Sequence, residues 1–400
     1  MTNEVLQKIA SDEQNISSSN GLEPKLRFKE FDGKWSRNIL GNCCDIIMGQ
    51  SPDSSSYNNN CIGLPLVQGN ADMCERIATP QRYTSQPTKI CEAGSIILSV
   101  RAPVGTVGKT FQKICLGRGV CGITSKNIEF MYQYLLNNEN SWRHIEQGGT
   151  FTAINSDDIK SFPIILPSLP EQKKIADFLS LIDQRIEKQR RLVESLKKYK
   201  RGLFLKLYND SDKSIISFKN IYEMASEGGT PSTSDSENYE NGKIPFIKID
   251  DLNQHYLNFA KYFITEKGLK KSSAWIVPEN SIIYSNGATI GACSINKIPV
   301  TTKQGILGIV PKSNFSVEFL YFFFTSSIFK QKIRAITTKG TMDCAYLKDI
   351  NGIKISIPDF IAQQKIAKIM VDFENLIERT ELSFIYLQNI KKALLQQMFI

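Results

Sequence analysis

Residues 149 to 208 align with residues 340 to 399 without a gap, at a constant offset of 191, and 15 of the 60 positions are identical. A long internal repeat constrains architecture more than composition does, because each copy has to fold as one unit. The identical pairs include Gly149 with Gly340, Thr150 with Thr341, Asp158 with Asp349, Ile164 with Ile355, Pro167 with Pro358 and Gln172 with Gln363. The run Lys174-Ile175-Ala176 returns as Lys365-Ile366-Ala367, and Glu187, Leu196, Lys200 and Leu203 also meet their own kind. Further upstream, Ser95-Ile96-Ile97 and Gly105 match Ser281-Ile282-Ile283 and Gly291 at another offset, and Gly49-Gln50-Ser51-Pro52 resembles Gly228-Gly229-Thr230-Pro231. A fixed offset downstream and a drifting one upstream describe a helix of fixed length preceded by loops of different length. A unit of roughly 190 residues is therefore present twice.

With 400 residues and 41% hydrophobic content, the chain has enough apolar mass for more than one core. No stretch approaches the roughly 18 consecutive apolar residues needed to span a bilayer. The first 22 residues are polar and Ser/Asn-rich without an apolar core, so a disordered tail is expected there rather than a signal peptide, and a cytoplasmic location follows. Nine cysteines without a CxxC pair, and only His144 and His255, argue for buried free thiols and against a metal site. The 49 Lys and Arg against 40 Asp and Glu give +9, a sign that suits a polyanionic partner.

The stretch from Pro170 to Tyr208 carries Ile175, Leu179, Ile182, Ile186, Val193, Leu196, Leu203 and Leu207 at alternating spacings of four and three, broken by Gln189 and Lys200. That is the seam of a paired helix. The second copy repeats it with Ile366, Met370, Phe373, Ile377, Phe384, Leu387, Leu394 and Met398, broken by Thr380 and Lys391. Ser168 and Glu171 have capping-box spacing, whereas the second copy offers Asp359 but puts Ala362 where the glutamate would stand. About 38 helical residues make a rod of roughly 55 Å, too long for one small domain to cover, so the two rods are expected to bury their seams against each other, antiparallel.

Between the rods, short apolar runs such as Ser95 to Val100, Ile244 to Ile249 and Ile306 to Val310, bounded by Gly, Pro, Asn and Ser, predict strands and turns. Helical patches fall near Glu129 to Leu136 and Val317 to Ile328. The expected fold class is α+β: two mixed α/β domains separated by two long helices packed as an antiparallel coiled coil, with pseudo-two-fold internal duplication. The expected boundaries are a tail at 1–22, a first domain at 23–166, a central helix at 167–208, a second domain at 209–357 and a distal helix at 358–400.

Catalytic motifs are missing. Gly105, Gly108, Lys109 and Thr110 imitate a phosphate-binding loop, but the required first glycine is Pro103, which has no N–H to offer a phosphate, and the stretch around Gly291 has no lysine. There is no Asn or Asp followed by Pro-Pro and Tyr or Phe, no GxGxxG and no triad constellation. What remains is a set of amide, hydroxyl and basic side chains in loop-rich domains. Gln50, Ser51, Tyr57, Asn58, Arg76, Arg82, Arg101, Lys109 and Arg118 stand in the first copy; Thr230, Ser232, Lys243, Lys248, Asn286, Lys303, Gln304 and Lys339 stand in the second. Arg, Lys, Asn and Gln form bidentate bonds to base edges, and Ser and Thr commonly hold phosphates, so these are candidate DNA contacts. For each one, an ordinary solvated surface role stands beside that reading.

The stretch Leu166-Pro167-Ser168-Leu169-Pro170-Glu171-Gln172-Lys173-Lys174-Ile175-Ala176, running on to Lys200-Arg201-Gly202-Leu203, closely resembles the central conserved region of specificity subunits of type I restriction-modification enzymes. Ile357-Pro358 with Gln363-Gln364-Lys365-Ile366-Ala367 is similar to the family's distal conserved region, and Pro24 to Phe28 with Trp35 to its start. The resemblance implies two target-recognition domains, each reading half of a split double-stranded DNA target. It also implies paired helices that set the spacing and dock two modification (methyltransferase) subunits, with restriction/translocase subunits joining them. It further implies a non-catalytic chain that binds no cofactor, S-adenosylmethionine and ATP with magnesium belonging to the partners. The alternatives are a scaffold whose variable domains bind proteins, which would show no salt-dependent DNA binding, and an enzyme with an unrecognised centre, which would turn over alone.

Overall fold

A computed structural model describes residues 23–146, 153–252, 254–287, 289–338 and 343–400, the side chains of 143–146 apart. The tail at 1–22, the repeat identities at Gly149, Thr150, Gly340 and Thr341, and the candidate Lys339 lie outside the described residues. Two compact units emerge, one holding the chain up to Arg190 together with Ser383–Ile400, the other Arg191–Leu382. The helices do not form domains of their own: each unit takes a part of both.

In the first unit a six-stranded sheet runs in the order Cys44–Met48, Val120–Ser125, Ile96–Ser99, Val107–Lys109, Ile77–Ala78, Met73–Cys74. A five-stranded sheet is built around Leu64–Val67 and Ile114–Leu116, which pair in parallel. Ile96, Leu98, Val107 and Ile123 face a core shared with the helix Ile128–Asn137, and Ile97, Val67 and Leu116 face a second core. The alternation along Ile96–Ser99 puts both faces of that strand in apolar surroundings, as expected of a strand covered on both sides.

The second unit repeats the plan. Its five-stranded sheet runs Tyr222–Glu227, Ile306–Pro311, Ile282–Ser285, Cys293–Asn296, Tyr256–Leu257, and a three-stranded sheet joins Tyr262–Ile264, Ile244–Ile247 and Thr301–Thr302. Its core is more aromatic: Phe218, Phe319, Phe323, Phe324 and Phe329 are all buried, and Phe324 and Phe329 stack with centroids 4.6 Å apart. In each unit the strand that opens the domain pairs antiparallel with the strand that closes it, Ser36 opposite Leu166 and Lys213 opposite Pro358.

The long helices span Leu169–Asn209, 41 residues, and Phe360–Met398, 39 residues. The starts of both are held alike. Gln172 donates from Nε2 to the Pro167 carbonyl at 3.0 Å, and Gln363 to the Pro358 carbonyl at 2.9 Å, which explains why the proline and the glutamine recur together. Asp359 caps the second helix by accepting from the Ala362 N–H at 2.7 Å, as its sequence position suggests. Glu171 departs from expectation. Its carboxylate is turned to the Arg27 guanidinium, which donates from Nε and Nη2 at 2.8 Å each, and to Trp35 Nε1 at 3.3 Å. Among the described residues no helix is long and apolar enough to cross a membrane. Five cysteines are buried as expected, but Cys61 and Cys74 are exposed.

Candidate nucleic-acid interface

One loop arrangement is built in both units. In the first, the chain leaves strand Cys44–Met48 and the N–H groups of Gly49 and Gln50 donate to the carbonyls of Val120 and Leu116 at 3.0 and 2.9 Å. This lays Gln50 and Ser51 across the turn between strands Ile114–Leu116 and Val120–Ser125, and the Arg118 N–H donates to Ser51 Oγ at 3.2 Å. In the second, the Gly228 N–H donates to the Ile306 carbonyl at 2.9 Å, and the Gln304 N–H donates to Thr230 Oγ1 at 3.3 Å. The approach needs glycine: a Cβ on Gly49 would stand 2.0 Å from the Gly117 carbonyl oxygen, and one on Gly228 2.0 Å from that of Thr302.

A tyrosine braces each loop from below. Tyr57 donates to the Pro52 carbonyl at 3.2 Å and Tyr239 to the Pro231 carbonyl at 2.5 Å. The Val100 N–H donates to the Gly119 carbonyl at 2.9 Å, so Arg101 lies beside the Arg118 turn; the Asn286 N–H makes the matching bond to Gly305 at 3.1 Å. Each unit thus ends in a tip of two neighbouring loops. The first presents Gln50, Arg101 and Arg118, all exposed, with half-buried Ser51; the second presents Thr230, Lys303 and Gln304, all exposed. Ser232 is exposed close by in sequence, its hydroxyl 2.8 Å from that of Ser234.

Other candidates are drawn elsewhere. Tyr57 also accepts from Gln68 Nε2 at 2.9 Å, so its hydroxyl serves the loop rather than the surface. Arg76 is gripped by Glu139 at 2.5 and 3.0 Å and donates to the Val107 carbonyl at 3.1 Å. Burial works against its charge, but Glu139 outweighs it and holds the guanidinium above its ordinary pKa. It lines a cleft of about 650 Å³ with Tyr132, Asp183 and Lys391. Lys109 sits 2.5 Å from Glu129 and 4.1 Å from the centre of the Tyr132 ring; it occupies a strand, so no helix N-terminus follows this glycine-bearing loop. Lys248 is half-buried with its ammonium 3.4 Å from the Tyr262 ring centre. Asn286 is wholly buried and donates to the Ala345 carbonyl at 3.2 Å, a core role that removes it from any groove. What sequence reasoning missed is the adjacency itself: Arg118 lies 67 residues from Ser51, and Gln304 74 from Thr230. The similarity of the two Gly-x-Ser/Thr-Pro stretches was the available signal.

On the helices, the predicted seam is sheltered throughout. Ile175, Leu179, Val193, Ile366, Met370 and Ile377 are buried, and Ile182, Ile186, Leu196, Leu203, Phe373, Phe384, Leu387 and Leu394 are half-buried. Its ends do more than join helices, because Ile175 and Leu179 belong to the first unit's core and Ile366 and Met370 to the second's. Within the second unit Lys197 meets Glu381 at 2.5 Å and Lys200 meets Glu374 at 2.7 Å, so partners descend as the first helix ascends: the pairing is antiparallel. Burial alone would raise the Glu374 pKa, but His255 and Lys200 outweigh it and hold the carboxyl below its ordinary value. For Lys391 burial dominates and pulls the ammonium below its ordinary value, against the support of Asp183.

The family model for the type I restriction modification DNA specificity domain matches residues 33–197 and again 211–385. The chain belongs to that family and carries the domain twice. It is 33% identical over 192 residues, 47% of this chain and 44% of the relative, to the type I restriction enzyme MjaIX specificity subunit of Methanocaldococcus jannaschii. It is 27% identical over 232 residues, 54% of this chain and 56% of the relative, to the type I restriction enzyme EcoR124I/EcoR124II specificity subunit of Escherichia coli. The chain thus spans about half the length of these curated relatives. The fold is shared with the crystal structure of a type I restriction-modification S subunit from M. genitalium, at TM-score 0.57 and 18% identity over 95% of this chain and 99% of that one. A structure described as showing complex assembly and conformational transition of the type I system matches at TM-score 0.60 and 15% identity, over 93% and 99%.

Proposed function

We propose that this chain is the DNA-reading specificity subunit of a type I restriction-modification complex, and that its target is bipartite and asymmetric. The carrying observation is the doubled tip: one backbone arrangement, Ser51 against Arg118 and Thr230 against Gln304, presents different side chains in the two units. A common frame with different readers suits two half-sites of different sequence. Arg118, Arg101 and Gln50 read one half, and Gln304, Lys303 and Thr230 the other, with Ser232 and Lys248 flanking. Each correct bidentate contact discriminates by about 1–3 kcal/mol, too little for either half alone, so two readings on a spacer of set length combine.

The paired helices set that spacer and dock two modification subunits, to which restriction and translocase subunits add; S-adenosylmethionine and ATP with magnesium reside on those partners. The chain itself performs no chemistry, and its place is with cytoplasmic DNA. A gel-shift series on the chain assembled with its modification subunits tests the reading. Affinity for target duplex should fall steeply and linearly in log–log form as salt rises, because phosphate contacts release counterions. Binding indifferent to salt and to sequence would favour a protein scaffold.

A further inference from the structure

The two lysines that interrupt the seams, Lys200 and Lys391, stand 191 apart, and so do the acids that meet them, Asp183 and Glu374. In the second unit Lys200 Nζ lies 2.7 Å from Glu374 Oε1, while Glu374 Oε2 lies 3.1 Å from His255 Nδ1. In the first, Lys391 Nζ lies 2.5 Å from Asp183 Oδ1, while Asp183 Oδ2 accepts from Gln133 Nε2 at 2.7 Å. Each acid therefore holds the opposite helix with one oxygen and its own globular domain with the other. The domain residues are deeply set: the His255 side chain is 9% exposed, between Tyr256 and Tyr321 rings with centroids 4.0 Å away on each side, and Gln133 is 0% exposed. Gln133 Oε1, His255 Nε2 and Glu374 Oε2 are buried with no hydrogen-bond partner among the described residues, so His255 meets Glu374 by proximity at 3.1 Å rather than through an aligned hydrogen bond. Unpaired buried polar atoms weaken a fold, so these side chains are poorly explained as stabilisers.

Other polar contacts tie each helix to the domain it leaves, Glu171 to Arg27 and Trp35, Arg190 to Glu75 and Gln363 Oε1 to the Ser316 N–H, and these do not set one helix against the other; between the helices, an apolar seam of heptad spacing tolerates a slide of seven residues. The polar contacts across the seam do not. One such slide brings Lys200 level with Ala367 and Lys391 level with Ala176; the opposite slide brings Lys391 level with Arg190. Both strand a half-buried cation.

We propose that Lys200–Glu374–His255 and Lys391–Asp183–Gln133 are positioning relays that fix the register of the helix pair and the height of each domain upon it, and thereby the spacer between half-sites. The spacer clause rests on the DNA-reading function proposed above; the register clause does not. Replacing both members of a buried ion pair by apolar residues is often neutral or stabilising, which separates a register role from a structural one. The test uses the full chain carrying Lys200→Leu, Glu374→Leu and His255→Phe together with Lys391→Leu, Asp183→Leu and Gln133→Leu, so that no member of either relay is left buried without its partner. Nitroxide labels are placed through unnatural amino acids at Leu192 and Leu382, which are exposed and, in the register set by the Lys200–Glu374 pair, stand level with each other. The parent should give one inter-label distance. The variant should melt within a few degrees of it yet give two or more distances, and with the modification subunits in cells it should methylate sites of more than one spacer.

A single unchanged distance overturns the proposal, as does a collapse of the melting temperature, which would make the relays props of the fold. Lys200→Glu with Glu374→Lys provides the second check, restoring a single distance that Lys200→Glu alone disperses; failure of that rescue also overturns it. Dispersed distances in the variant, in a protein whose parent methylates no bipartite site, would uphold the register role and sink the DNA reading alone.

Discussion

The two halves of the molecule share a frame down to single hydrogen bonds and diverge in what the frame presents. The shared bonds are Gln172 to Pro167 and Gln363 to Pro358, the tyrosine braces on Pro52 and Pro231, and the acid–lysine pairs on the helices. At the tips, the positions of Arg118 and Arg101 in one half correspond to those of Gln304 and Gly287 in the other. On the helices, Gln133 donates to Asp183 at 2.7 Å where His255 only approaches Glu374, at 3.1 Å. The first half also ties its opening segment to the helix start through Arg27, Trp35 and Glu171, where the second has Ala362 and instead sends Gln363 Oε1 to the Ser316 N–H at 3.0 Å. The pattern of difference says where specificity would reside under the proposed DNA reading: the backbone that places the loops is the same in both halves, and the side chains on those loops differ.

That comparison breaks most visibly if the halves do not read separately. Exchanging residues 23–166 for the matching domain of another family member should replace one half-site entirely and leave the other intact, as methylation-site sequencing would show; changes in both would mean the halves act jointly. Next in size, inserting a helical turn after Gln189 with a matching turn after Thr380 should shift the spacer while both half-sites persist, and an unchanged spacer would remove the helices from the specificity. Gly228→Ala forces a Cβ onto the Thr302 carbonyl, an overpacking of about 1–3 kcal/mol, and should blur only the second half-site. Arg118→Ala and Gln304→Ala should each relax a single position of opposite half-sites, by about 1–3 kcal/mol in competition binding.

The smallest effect is on pH. Because the folded Glu374 carboxyl lies below its ordinary value of 4.5, its contribution is fully present above that pH and fades as pH falls through the folded value. Glu374→Gln should flatten that acid limb in hydrogen exchange of the second half. An unaltered limb would show that His255 and Lys200 do not hold the charge.

The duplication, the antiparallel helices and the sheltered seam were legible because helical spacing is a local property: Ile175 to Leu203 announces one face without knowledge of the partner. Glu171 was misread for the converse reason. Its spacing from Ser168 fits a capping box, but Arg27, 144 residues away, takes the carboxylate. The tips were half legible. Gly49-Gln50-Ser51-Pro52 and its counterpart were recognisable as equivalent, whereas the partners Arg118 and Gln304 come from a distant turn. Among single candidates, Arg76, Lys109 and Asn286 have the right chemistry, but in the fold Glu139, Glu129 and the Ala345 carbonyl engage it, and no spacing rule reveals such partners.

The central claim is that two different readers on one repeated frame recognise the two parts of a split target. Sequencing of methylated adenines genome-wide, in cells with and without this gene and its modification subunits, tests it directly. The account predicts a gene-dependent motif of two unlike half-sites separated by a single fixed number of unspecified bases. A gene-dependent motif that is continuous or palindromic, or no gene-dependent motif at all, would contradict it.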